Sequence, residues 1–181
     1  KFSIKPSIRY EYVSKNISST SDPDGTSTSL YAIVLNSHRD STYVDNYSTL
    51  YPDLHITYNI TEKQSLQFGL SRRVNRPGDG GHGGGSRQIR PYPRDVYSDN
   101  FIFVGNPFLK PEYSTQYELS FKSPLPMGFG YINLYYHQLE NVIEWYDDDR
   151  YAGSDVLTFK NADSGENMGI DFFTMIMGQV L

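Results

Sequence analysis

The sequence of 181 residues predicts an all-β protein whose antiparallel sheet has one apolar and one polar face. Three observations support this fold class. Apolar and polar residues alternate with a period of two in several segments, as in strands whose two faces meet different surroundings. The connections between these segments alternate between long and short. No apolar run approaches the ~20 residues that a membrane-spanning helix requires.

The first predicted strand covers residues 1–13. Pro6 argues against a helix there, because proline removes a backbone hydrogen bond from a helix interior. Residues 14–47 are rich in Ser, Thr, Asn and Asp and predict a long loop with room for its own hairpin. The apolar residues that share one side of the strand are Phe2, Ile4, Ile8, Tyr10 and Tyr12.

Two strands joined by a tight turn are predicted next. Residues 61–64 separate them, and so short a gap is typical of a hairpin. A second long loop is predicted over residues 74–111. The apolar positions are Leu54, Ile56, Tyr58 and Ile60 in one strand, and Leu66, Phe68 and Leu70 in the other.

The remaining strands follow the same alternation. A strand with one face formed by Tyr113, Thr115, Tyr117, Leu119 and Phe121 leads to a short turn at residues 123–128. The next strand passes through Leu134 and is expected to continue to Tyr146. Residues 147–154 are predicted to form a third loop, and the strand pattern returns from Val156 to the chain end. About six strands result.

This order of long and short connections is typical of outer-membrane barrels, which have long outer loops and short periplasmic turns. Only every second strand residue faces lipid in such a barrel, so the hydrophobic fraction of 38% and the negative mean hydropathy are compatible with it. The sequence therefore predicts an antiparallel transmembrane β-barrel segment. A soluble β-sandwich that binds ligands is the alternative, because its strands also alternate.

Several segments resemble the outer-membrane β-barrel family of TonB-dependent receptors. They occur in the same order over nearly the whole chain, and each is short. The chain begins and ends within strand patterns, which predicts a piece of a longer protein. The segments are Leu50 to Tyr58, Gln64 to Leu66, Leu70 to Pro77, Asn106-Pro107-Phe108-Leu109-Lys110-Pro111-Glu112-Tyr113, Tyr117 to Leu119, Tyr135-Tyr136, Asn141-Val142-Ile143, and Asn161-Ala162 to Gly169-Ile170-Asp171.

The resemblance implies a barrel of about 22 strands with an N-terminal plug. Residues 1–181 would be a partial barrel domain, without the plug and the remaining strands. It also implies a location in the outer membrane of Gram-negative bacteria and uptake of a scarce solute, such as a metal chelate or an oligosaccharide. The implied partners are outer-membrane lipid, the TonB complex acting through the plug, the extracellular solute and a surface lipoprotein.

A basic segment is the clearest candidate for ligand contact. Six arginines lie between Arg72 and Arg94, against one acid, Asp79. Charge at the loops and the barrel rim would explain them, as would attraction of an anionic ligand or of lipopolysaccharide phosphate. Loop aromatics that face outward are further candidates, although packing would explain them equally. The two sets are Arg72, Arg73, Arg76, Arg87, Arg90 and Arg94, and Tyr92, Tyr97, Phe101, Phe103 and Phe108.

Other motifs do not indicate catalysis or metal binding. The run from Gly80 to Gly85 contains the HGGG string of esterases, but the chain lacks the G-x-S-x-G nucleophile motif that should accompany it. The acids Asp22, Asp24 and Asp147 to Asp149 lack the spacing of a calcium loop. With no cysteine and four scattered histidines, no thiolate or histidine metal site is predicted. We therefore expect a non-enzymatic transporter without cofactor, metal or nucleic-acid partner, whose solute-binding residues the sequence leaves unidentified.

Overall fold

The computed structural model describes residues 1–19, 41–78, 88–90, 93–98, 101–148 and 155–176. Within these ranges no helix is long and apolar enough to cross a membrane. The predicted all-β class is confirmed. The strands are β1 (Phe2–Ser19), β2 (Ser41–Asn59), β3 (Ser65–Asn75), β4 (Pro93–Ser98), β5 (Phe101–Val104), β6 (Glu112–Leu125), β7 (Gly128–Glu140), β8 (Ile143–Asp147), β9 (Asp155–Asn161) and β10 (Ser164–Ile176).

Six of these strands form one antiparallel sheet in the order β1-β2-β3-β6-β7-β10, which we call the wall sheet. Its short connections, residues 60–64 and 126–127, lie at one end, the turn end. Thr61 closes the first turn, because its hydroxyl oxygen accepts a hydrogen bond from the Gln64 backbone at 3.1 Å. Gly128 closes the second with a φ of 152°, where a Cβ would overlap the carbonyl oxygen of Met175. The predicted alternation of long and short connections is thus confirmed.

The strand register separates the two faces of the wall sheet across all six strands. Three adjacent rows of directly paired residues show the separation. An apolar row is Ile4, Ile56, Phe68, Leu119, Leu134 and Ile170, and the row beside it is Phe2, Tyr58, Leu66, Phe121, Ile132 and Phe172. The row between these two, on the opposite face, is Ser3, Thr57, Gln67, Ser120, Asn133 and Asp171.

The side chains of the apolar face are exposed across the whole width of the wall sheet. Ile8 is 69% exposed, Leu134 43% and Ile170 72%, so the apolar rows form one continuous surface. Toward the loop end this band ends in tyrosines, and mostly polar residues follow. The tyrosines are Tyr10, Tyr12, Tyr117 and Tyr136, and the polar residues beyond them include Ser14, Asn16, Asn46, Ser48 and Gln138.

The band has the height of a membrane core. From Phe2 to Tyr12, β1 spans about 33 Å at ~3.3 Å per residue. A strand tilt of about 40° reduces this length to about 25 Å along the membrane normal, which is the height of the apolar band in outer-membrane barrels.

The first two strands are longer than predicted. Residues 14–47 were expected to form a loop, whereas β1 runs to Ser19 and β2 begins at Ser41, with Ser19 opposite Ser41 as the last pair. This expectation was wrong because a strand was predicted only where one of its faces is apolar. Ser14, Asn16 and Asn46 are exposed beyond the tyrosines, where water can surround both faces of a hairpin. Residues 20–40, including Asp22 and Asp24, lie outside the described residues.

The expected loops contain a second sheet, which we call the loop sheet. Its order is β4-β5-β9-β8, and β5 pairs with β9 in parallel. It has its own core, where Ile102 and Val156 are fully buried and Phe103, Leu109 and Phe159 form a cluster. Residues 74–111 therefore do not form a structureless loop.

The last part of the chain also divides differently from the prediction. The strand expected to continue to Tyr146 ends at Glu140, because Asn141 takes a positive φ of 55° and turns the chain. The pattern from Val156 onward belongs to two strands, β9 in the loop sheet and β10 in the wall sheet. At each of these breaks the chain passes from one sheet to the other. Tertiary contacts decide this change, and the alternation of apolar and polar residues does not show it.

Candidate functional site at the loop end

The loop sheet is attached to the wall sheet through three asparagines, Asn106, Asn141 and Asn161, which we call the asparagine latch. Asn161 makes the densest set of contacts. Its Oδ1 accepts from the Lys110 backbone at 2.8 Å, and its Nδ2 donates to the carbonyl oxygens of Lys110 and Asn141 at 3.0 and 2.8 Å. Asn141 Nδ2 donates in turn to the Pro111 carbonyl at 3.2 Å. The segment that leads into β6 is therefore bonded to the start of β8 and the end of β9.

Asn106 secures the other side of the same segment. Its Nδ2 donates to the Phe159 carbonyl at 2.9 Å, and its Oδ1 accepts from the Phe108 backbone at 2.9 Å. Leu109, 1% exposed, belongs to the same buried cluster as Phe103 and Phe159. The motif from Asn106 to Tyr113 thus packs its leucine into the loop sheet while its asparagine caps the turn.

Two charged residues extend this attachment to the strands. Lys15 of β1 donates to the carbonyl oxygens of Pro107 and Leu109 at 2.9 and 3.2 Å. Glu112 accepts from the Ile143 backbone at 2.7 Å and also from Asn75 Nδ2. Because β1, β3, β6 and β8 all contribute, the loop sheet is held in one place relative to the wall.

Two arginines of the basic segment, Arg72 and Arg76, are paired with acids. Arg72 forms a bidentate pair with Glu140 at 2.8 and 2.9 Å, and Arg76 pairs with Glu11. Arg72 also stacks on Tyr113, with its guanidinium carbon 4.8 Å from the ring centre. This geometry favours rim charge over ligand contact for Arg72 and Arg76. Arg87 and Asp79 lie outside the described residues, as do the side chains of Arg94, Tyr92 and Tyr97.

Glu140→Gln is expected to destabilise the protein by no more than about 1 kcal/mol at neutral pH, because the Glu140–Arg72 pair is partly exposed to water. Glu140 lies beyond Tyr136, outside the apolar band, and the hydrogen bond from Arg72 lowers the pKa of its carboxyl. A lowered pKa stabilises the folded state above the ordinary carboxylate pKa, and this stabilisation is lost as pH falls through the lowered value.

The measurement is the denaturant midpoint of both proteins in detergent, at neutral pH and at progressively lower pH. The difference between them should shrink as the carboxyl is protonated. Glu62→Gln, at an exposed position of the turn end, is the matched control and should show no comparable pH dependence. A difference that stays constant down to the lowest pH would contradict the assignment.

Arg73 differs from its neighbours. It is exposed and has no ion pair or hydrogen bond within the part of the chain that the structure describes. It lines a cavity of about 730 Å³ between the loop-end residues of β3 and β6 and the edge strand β8. Trp145 and Phe159 form the aromatic part of the lining, and Leu139 and Ile143 are aliphatic members.

The predicted loop aromatics have different environments. Phe103 is 6% exposed and belongs to the loop-sheet core, so the packing interpretation is correct for it. Phe108 is 71% exposed and rests on Tyr43, with ring centres 4.8 Å apart at 83°. Trp145, which the sequence did not single out, is 57% exposed and stacks on Phe159 at 4.5 Å. It is the single tryptophan of the chain, and this was the feature of the sequence that could have marked it as a candidate.

The remaining sequence candidates are not brought together. His55 lies 3.3 Å from Asp53 on the polar face, and His137 stacks on Tyr135 at 5.0 Å. Among the described residues no group of three His, Cys, Asp or Glu side chains is placed to hold a metal ion. The HGGG string, His38, His82 and Asp149 lie outside the described residues.

Comparison with solved structures finds this fold in receptor barrels. A double mutant of the Serratia marcescens hemophore receptor HasR, in complex with its hemophore HasA and heme, matches with a TM-score of 0.62 at 12% identity, over 96% of this chain and 29% of that chain. The siderophore receptor PirA from Pseudomonas aeruginosa matches with a TM-score of 0.57 at 16% identity, over 93% and 31%. The chain therefore spans about a third of the length of these receptors.

A comparison with curated protein sequences finds no significant match. The model of the outer membrane protein beta-barrel family matches residues 1–177. This match confirms the predicted outer-membrane location, and the receptor structures above confirm the expected likeness in fold. It does not favour the soluble β-sandwich. With its apolar band, its alternating connections and its residues matched almost from end to end, the chain belongs to the outer membrane protein beta-barrel family.

Proposed function

We propose that residues 1–181 form part of the barrel domain of a TonB-dependent receptor that takes up a scarce solute across the outer membrane. The observation that carries this proposal is the attachment of the loop sheet to the loop end of the wall sheet. A barrel wall that only spanned the membrane would not need a second hydrophobic core beyond its apolar band. A fixed platform outside the band is suited to holding a ligand above the lumen.

The unpaired edges of the wall sheet support the proposal that this sheet belongs to a larger barrel. Among the described residues β1 and β10 are its two outer strands, each paired on one side. Within a hydrocarbon layer, unpaired backbone groups are costly, so the edges require further strands. We propose that a plug and the other strands of a barrel of about 22 strands complete the receptor.

The solute class is proposed from the similar receptors. The names of the two receptors refer to a hemophore and heme and to siderophores, and a further structural match is a copper transporter, OprC. These favour a metal or a metal chelate over an oligosaccharide. In this proposal the receptor moves its solute without bond chemistry, TonB acts through the plug, and a surface lipoprotein is a further partner.

The test is uptake by the whole receptor in a Gram-negative host. Cells that produce it should accumulate radiolabelled ferric siderophore, heme or copper from a panel, and depletion of TonB should abolish the accumulation. A receptor in which a short Gly-Ser linker replaces β4 and β5 should still reach the outer membrane but should lose uptake. Accumulation that continues without TonB, or without those strands, would contradict the proposal.

A further inference from the structure

The cavity of about 730 Å³ at the loop end has an uneven distribution of charge. Its two acids are both occupied: Glu112 accepts from the Ile143 backbone and from Asn75, and Glu144 pairs with Lys160 at 3.2 Å. Its arginine, Arg73, has no ion pair among the described residues. Both acids of the lining therefore have hydrogen-bond or ion-pair partners, whereas Arg73 is the charged residue of the lining whose donors have none among the described residues.

The apolar part of the lining is flat and partly exposed. Trp145 is 57% exposed although it stacks on Phe159 at 4.5 Å and on Phe103 at 4.9 Å. An exposed indole fixed by two rings offers a rigid stacking surface that loses little conformational entropy when a ligand binds. Leu139, Val142 and Ile143 continue this apolar surface.

We propose that this cavity is a binding site for a compact amphipathic anion, a ligand with a flat aromatic body and one carboxylate or similar acidic group. The aromatic body stacks on Trp145, and the acidic group is bound by Arg73. A guanidinium with all its donors available suits a carboxylate, because the two can form parallel hydrogen bonds. A volume of this size accommodates a ligand of several rings.

This inference rests on the proposed function for its role in solute capture, but binding itself needs neither TonB nor transport. The site lies at the side of the platform, between the barrel wall and the edge of the loop sheet. It assigns distinct roles to Arg73 and Trp145, which the sequence alone did not separate from the other arginines and aromatics.

The test is equilibrium dialysis of the whole protein in lipid nanodiscs, with empty nanodiscs as the reference for partition into lipid. The probes are 2-naphthoate and its neutral counterpart 2-naphthylmethanol, which share one ring system and differ in charge. The parent protein should bind the acid about tenfold more tightly than the alcohol. Arg73→Gln should remove this preference, and Arg73→Lys should keep part of it.

Trp145→Ala should weaken both probes, since both stack on the same ring. The matched controls are Lys5→Gln, an exposed cation on the polar face of β1, and Phe108→Ala, an exposed aromatic outside the cavity; neither should change the binding of either probe. If Trp145→Ala does not assemble, Trp145→Phe supplies the readout through a smaller loss.

Equal binding of acid and alcohol, or an acid preference that survives Arg73→Gln, would overturn the assignment. If the parent protein binds the two probes as expected but cells that produce it take up none of the solutes in the panel, the result would count against the proposed transport function alone. Uptake that continues while neither probe binds would count against this site alone.

Discussion

Leu134→Arg is expected to impair assembly in the outer membrane, at a cost of about 2–4 kcal/mol if the site lies near the membrane centre. Leu134 stands in an apolar row that crosses all six wall strands, between Leu119 and Ile170, and it is 43% exposed on the apolar face. An arginine there would have to leave water for hydrocarbon. The measurement is the folded fraction in isolated outer membranes, read from the heat-dependent gel shift of barrels and from protease resistance.

Gln67→Arg is the matched control. Gln67 is exposed on β3 and belongs to the polar row between the two apolar rows, so the same new charge enters the opposite face. It should leave the folded fraction close to that of the parent. Similar losses for both variants would contradict the assignment of lipid to the apolar face. Asn133 would be a poor control, because it is 8% exposed and accepts a hydrogen bond from Ser120 at 2.9 Å.

Asn161→Ala is expected to release the loop sheet while leaving the wall sheet folded. The substitution removes three hydrogen bonds and leaves the Lys110 backbone N–H without its partner. Losses of this kind cost about 1–3 kcal/mol for each buried group, and partial exposure to water moderates them here to a total of about 2–4 kcal/mol. The backbone amides of β8 and β9 should exchange hydrogen faster, by the factor that this loss of free energy predicts. Exchange in β3 and β6 should stay unchanged.

The control is Asn167→Ala on β10, where the asparagine is exposed and has no hydrogen bond within the described residues. Its hydrogen exchange should match that of the parent throughout. If Asn161→Ala also matched the parent, the asparagine latch would not hold the loop sheet. If the whole protein lost protection, the two sheets would unfold as one unit.

The wall sheet was predictable because its alternation has a physical cause at every strand. Ile4, Phe68 and Leu134 fall in one apolar row since each strand places alternate side chains on one face, and a shift by one residue would put them all on the polar side. The predicted apolar positions therefore also specified the register. The two short connections allowed little choice of neighbour for β3 and β7.

The loop sheet was not predictable by the same reasoning. β4 and β5 lie within residues 74–111, for which the sequence predicts a loop. β9 pairs with β5 across a large separation in sequence. The alternation in β8 and β9 continues from the wall strands without a marked break. Asn141 and Asn161 were visible as parts of short segments that resemble the family, but nothing local to them indicates that they bind each other and the segment before β6.

The candidate site divides in the same way. The basic segment was apparent from composition, yet Arg72, Arg73 and Arg76 look alike in sequence. Only their neighbours in space distinguish them, since Glu140 and Glu11 pair with two of them and Arg73 forms no ion pair among the described residues. Charge pairing between distant strands depends on register and on loop position together.

The sequence by itself therefore determined the barrel wall: its class, its two faces, the end that carries the loops, and its family. These follow from interactions between each residue and its surroundings, lipid on one face and water on the other, and such interactions leave a period of two in the chain. Tertiary structure alone decided the loop sheet, the asparagine latch and the cavity that Arg73 shares with Trp145. These depend on pairs of residues far apart in sequence, whose meeting leaves no periodic trace.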